Sequence, residues 1–211
     1  MIQFSKEILE KHIAPEVSLF TEAEIPDMSN WEKEAPSWIA NFFLNSAFTA
    51  TFKPPMNAYA FNYLRRAQAA YIEHKQARDA TYAFLQNGGQ SPTRYCLALF
   101  HWETFLGQSC HAYALLLKAF QGKAFSKGDG SLEERLNHLY NQMKHVESRI
   151  ECAQMLPGAT VPVWLTNDGI KSTDASMTYA ETADVLKQIC AWANALMNPK
   201  TANEEFDEIQ T

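Results

Sequence analysis

Apolar side chains along this chain recur mostly at steps of three and four, the spacing that lines one face of a helix. Between Ser131 and Cys152 the stripe is Leu132, Leu136, Leu139, Met143, Val146 and Ile150. Glu134, His138, Asn141 and His145 recur at similar steps away from it. A helix turns about 100° per residue, so Asn141 stands roughly opposite Leu139. A core does not require those polar residues, so the face is either solvated surface or a working surface.

The same reading yields the other elements. A short helix is expected over residues 5 to 13, ending before Pro15. Ser29 with Glu32 fits a capping box, and Pro36 restarts a helix through Trp38, Ile39, Phe42, Phe43 and Leu44. A long alanine-rich helix runs from Pro55 to Asn87 and stops at Gly88-Gly89. Ser91-Pro92, a cap followed by proline at the first helical position, opens a helix to about Phe120 that is apolar on most sides. Ser131 with Glu134 and Thr178 with Glu181 are further capping boxes, the second opening a last helix with Val185, Ile189, Trp192 and Leu196 on its inner face. Residues 157 to 177 break the helical pattern, and Val161 to Thr173 within them reads as a small hairpin around Thr166-Asn-Asp-Gly169, with Pro162 confining its first strand to an edge.

Three long helices and a final one, joined by short connections, imply an all-α antiparallel up-down four-helix bundle. The expected organisation is an N-terminal helical arm (1–50), a bundle (51–200) carrying the hairpin before its last helix, and an acidic tail (201–211).

Composition narrows the function. Of 211 residues, 46% are hydrophobic and 20% charged, the balance of a globular protein. A net charge of −6 argues against nonspecific coating of nucleic acid, while leaving room for a local basic patch. The four cysteines are widely separated, as expected of free thiols in a reducing compartment. The N-terminus has no uninterrupted apolar core and no run of about 18 apolar residues occurs, so a cytoplasmic protein without a membrane span is expected.

Common catalytic patterns are missing. No Glu has His three residues later, and there is no HxxxH or HExxH, so neither a metal nor another cofactor is expected. Gly107-Gln-Ser109 and Gly122-Lys123 lack the remaining residues of a nucleophile elbow and of a phosphate-cradling loop. Glu103 shares a side with Phe100, Gly107 and Cys110, and Arg65 or Arg66 is its expected partner. Arg94, His101, Thr104, Gln108, His111 and Lys118 form a polar row on the central helix. It is either a solvated edge or a face that meets the Asn141–His145 face across a groove or a dimer interface.

Asn141 and His145 lie one turn apart, with His138 one turn before Asn141. An imidazole transfers protons near neutral pH, and a neighbouring amide can orient it or a substrate. RNA cleavage by attack of its own 2′-hydroxyl needs such a group and a cation near the phosphate, which Lys144 or Arg149 could supply.

RLNHLYNQMKH, preceded by WETFLGQSCHAY and followed by VPVWLTNDGIKS with a closing helix, resembles the HEPN superfamily over roughly residues 55 to 198. That resemblance implies a helical bundle of a prokaryotic defence or toxin–antitoxin system, acting as a homodimer. Active members resemble metal-independent ribonucleases with an Arg, often a polar residue, and then a His facing their symmetry mates across the dimer cleft. Asn141 matches the polar position and His145 the histidine; the arginine position holds Tyr140. His145 and Asn141 are thus the expected catalytic pair, and Tyr140, His138, Lys144 and Arg149 the expected substrate contacts. Non-catalytic members are similar to RNA-, nucleotide- or partner-binding modules, so the alternative is an interaction module that receives a protein from a neighbouring gene.

Overall fold

The computed structural model describes residues 3–200 and 202. The expected tail, 201–211, lies outside the described residues apart from Ala202. The chain forms α1 (Lys6–His12), α2 (Ser29–Glu32), α3 (Ala35–Phe48), α4 (Met56–Gln86), α5 (Pro92–Phe120), α6 (Leu132–Lys144), α7 (Val146–Glu151), β1 (Val163–Leu165), β2 (Gly169–Ser172), β3 (Ser176–Thr178) and α8 (Tyr179–Leu196). No helix of the described residues is long and apolar enough to cross a membrane.

The antiparallel pair α4 and α5 is the centre of the molecule. Alanines at 60, 67, 70 and 77 are fully buried, and their small side chains let the second helix approach closely along its whole length. Gly88 and Gly89 take positive φ, 76° and 66°, which ends α4. Ser91 caps α5 by accepting from the Arg94 N–H, with Pro92 at the first turn. Trp102, fully buried, donates its indole N–H to Thr81 Oγ1 at 3.0 Å and lies against Tyr179, which joins α8 to the pair.

α8 packs on α4 and α5, and α3 crosses α4 and α8. Trp38 of α3 donates to Asn194 Oδ1 at 2.7 Å, and Leu9, Val17, Phe20 and Trp38 of the arm belong to the same continuous core as the long helices. α6 meets α5 on one side and the sheet on the other. Its place is fixed by Arg135, which grips both oxygens of Glu181 and the Ser176 carbonyl. Glu181 also closes the capping box of α8 with Thr178.

The fold is mostly helical, but it is not the expected all-α architecture, because a three-stranded antiparallel sheet ordered β1-β2-β3 is built into it. The expected hairpin is its first two strands. The third strand follows because Gly169 lets β3 cross tightly over it: a Cβ there would meet the Met177 carbonyl oxygen at 2.0 Å.

Three expected local features differ. Ser29 lies inside the first turn of α2, whose cap position is Met28, and makes no side-chain cap. Glu134 leaves the capping box half made: the Glu134 N–H donates to Ser131 Oγ, but the carboxylate accepts from the Gly128 and Gly130 N–H groups. The helix expected to reach Cys152 breaks at His145 (φ −117°, ψ 31°), because no core lies beyond Val146 and Ile150 is 60% exposed.

Candidate functional site: a basic cleft between three helices

α4, α5 and α6 leave between them an open cleft of about 460 Å³. Arg66 enters from α4, His111 and Lys118 from α5, and Tyr140 and Lys144 from α6. No Asp or Glu lines it. Three permanent cations around one concavity, in a chain of net charge −6, concentrate positive potential at a single place.

Each wall has a local origin. Tyr140 follows fully buried Leu139, so the helical turn that plants Leu139 in the core swings Tyr140 toward α5. There His111 Nε2 and the Tyr140 hydroxyl share a hydrogen bond of 2.7 Å, the rings edge to face. Gly107, one turn earlier on α5, has the Tyr140 ring at 3.7 Å from where a Cβ would stand, so glycine leaves room for it. Arg66 donates to Gln108 Oε1 at 2.8 Å, which orients the guanidinium and leaves other N–H donors to spare.

Burial, then Arg66 and Lys144 beside it, hold the His111 imidazole below its ordinary pKa. Burial raises the Tyr140 phenol, with nearby Arg66 opposing. Near neutral pH the pair is therefore an uncharged imidazole bonded to an uncharged phenol. Such a cleft can receive an oxyanion from the cations, and its imidazole can accept a proton from a bound hydroxyl.

The residues expected from sequence divide between this cleft and the surrounding surface. Tyr140 and Lys144 line it. Asn141 and His145 are exposed and line none of the clefts described here. His138, also exposed, lies 3.7 Å from Glu134. Arg149 turns to Thr173 Oγ1 (3.1 Å) and Asp174 (3.8 Å), fastening α7 to the turn before β3.

The polar row of α5 plays two parts. Arg94 donates to the Ala83 carbonyl, His101 pairs with Glu73 at 2.9 Å and Gln108 receives Arg66, so these residues serve the contact with α4. His111 and Lys118 reach the cleft. Glu103 lacks the arginine expected for it, because Arg66 bonds Gln108 and Arg65 bonds Asn62; burial raises its carboxyl to about 7.

Sequence reasoning set Arg66, His111 and Lys118 apart from the α6 motif. The signal available was the meeting of two polar helix faces; nothing in the spacing joined Arg66 to them. A larger groove of about 760 Å³ beside β2 and β3 has the opposite character. It is lined by Glu16, Glu24 and Asp168, and its lysine, Lys171, is paired with Glu16.

Compared with protein-family models, with characterised proteins and with solved structures, the chain finds no match.

Proposed function

We propose that the protein is RNA-directed and that the cleft between α4, α5 and α6 holds a backbone phosphate of a single strand. The observation that carries this reading is the convergence of Arg66, Lys118 and Lys144 on one concavity free of carboxylates. Phosphate recognition asks for charge and hydrogen-bond donors, and RNA is read mainly where its strand is unpaired. The reading keeps the HEPN-like expectation and shifts its chemistry to a neighbouring surface. The cation missing from the Tyr140 position has a spatial substitute, since Arg66 approaches Tyr140 from α4. His111, bonded to Tyr140, is then the imidazole best placed to take a proton from a ribose hydroxyl.

Fluorescence anisotropy with a short unstructured RNA at several salt concentrations tests this. Replacing both Arg66 and Lys144 by Ala should weaken binding at least tenfold. It should also flatten the dependence of log K on log salt by about 0.7 for each lost phosphate contact. Binding that is unchanged in the double variant would remove the proposal.

A further inference from the structure

A smaller pocket of about 90 Å³ opens beside the basic cleft and shares Cys110, Ala114 and Asn137 with it. Its remaining walls differ in character from those of the cleft. Tyr113 and Leu117 of α5, Phe125 of the α5–α6 connection and Leu136 of α6 make it apolar and partly aromatic. Two polar side chains, Glu133 and Asn137, look into it from successive turns of α6.

Among the described residues the Glu133 carboxylate and the Asn137 amide make no hydrogen bond or ion pair. The neighbours of Glu133 show how different this is. Glu134 spends both oxygens on backbone N–H groups, and Arg135 spends its guanidinium on Glu181 and Ser176. A half-buried carboxylate and amide left unpaired at an apolar pocket suit a ligand that supplies the missing partners.

We propose that this pocket takes the base of a cytidine nucleotide whose phosphate lies in the adjoining cleft. The inference rests on reading that cleft as a phosphate site. Three constraints select the base. The pocket is smaller than the roughly 150 Å³ cavity that encloses one benzene ring, so it takes the edge of a single ring with the rest of the base at its mouth, and a two-ring purine would leave most of its surface outside. Glu133 only accepts, and cytosine offers its exocyclic amino group where uracil offers a carbonyl oxygen. Asn137 can donate to the ring nitrogen or carbonyl of cytosine on the same edge. Tyr113 and Phe125 supply the aromatic surface on which bases of single strands rest. Glu133 and Tyr140 are seven residues apart, about 10 Å of helix, comparable to the reach of one nucleotide from base edge to phosphate.

Calorimetric titration of the full chain with cytidine monophosphate, uridine monophosphate, guanosine monophosphate and inorganic phosphate separates the base pocket from the phosphate site. Cytidine monophosphate should bind about tenfold tighter than uridine monophosphate and tighter than the purine, and inorganic phosphate should compete with it. Glu133→Gln, whose amide can donate to the uracil carbonyl, should erase or reverse that preference while phosphate still competes. Equal affinity for the two pyrimidine nucleotides, tighter binding of the purine, or a preference that survives Glu133→Gln overturns the base assignment and leaves the phosphate site standing. Absence of binding by every nucleotide and by phosphate overturns both.

Discussion

His74 and His111 stand on the two helices of one hairpin, and burial lowers the pKa of each, yet they are different kinds of residue. His74 is 1% exposed, with its ring edge to face with Trp102 and Phe105 and its Nε2 3.3 Å from Thr182 Oγ1. The Thr182 hydroxyl already donates to the Tyr179 carbonyl, so the His74 Nε2–H must be the donor in that contact. It is a ring the core has absorbed. His111 faces an open cleft, and its lowered pKa owes part of its origin to Arg66 and Lys144. A neighbouring cation contributes at both sites, Arg78 at His74, so what separates the two histidines is exposure: one ring is sealed in the core and the other opens on the cleft. Glu134 and Glu133 repeat the contrast one bond apart in sequence: the first ties down the preceding loop, and the second makes no hydrogen bond or ion pair among the described residues.

The strongest way to break the contrast is to delete each ring. His74→Ala leaves a hole among aromatic side chains and should cost about 2–5 kcal/mol in urea unfolding. His111→Ala, at the surface, should stay within about 0.5 kcal/mol of the parent while weakening RNA binding several-fold. Equal stability losses would mean that the cleft histidine is structural too.

Acid sharpens the comparison. The unfolded chain protonates its histidines near 6.5, whereas folded His74 resists protonation until about 4. The unfolded state binds the extra proton in between, so the stability owed to a neutral His74 is present above 6.5 and drains away as pH falls toward 4. Urea midpoints measured across that window should decline in the parent and decline less in His74→Gln. Parallel declines in the two proteins would assign the acid sensitivity to other groups.

The smallest effect is expected on the exposed side of α6. His145→Ala and Asn141→Ala should leave both urea midpoint and RNA affinity unchanged, since neither side chain lines the cleft. A loss of RNA cleavage or binding in His145→Ala, accompanied by a dimer in sedimentation, would return the chemistry to that surface and take it from His111.

What could be read from sequence follows the range of the interactions involved. α4, α5 and α8 are legible because local chemistry marks their ends: Gly88-Gly89, Ser91-Pro92, and Thr178 with Glu181. β3 is three residues long, and its existence depends on passing Gly169 rather than on any pattern of its own. The break at His145 depends on the core ending, which a periodic stripe cannot reveal. The candidate site was half legible. Tyr140 and Lys144 belong to the conspicuous motif of α6, but their companions lie about thirty and more than seventy residues away, on two other helices.

The grip of Arg135 on Glu181 gives the C-terminal helix a share in the cleft it never touches. A fragment ending before Tyr179 would keep the long α4–α5 pair and with it Arg66, His111 and Lys118. It would lack the carboxylate that moors α6, so Tyr140 and Lys144 would have no assured position opposite them. The walls of the cleft are therefore all in place only once α8 has docked and fixed α6, which precedes it by some forty residues.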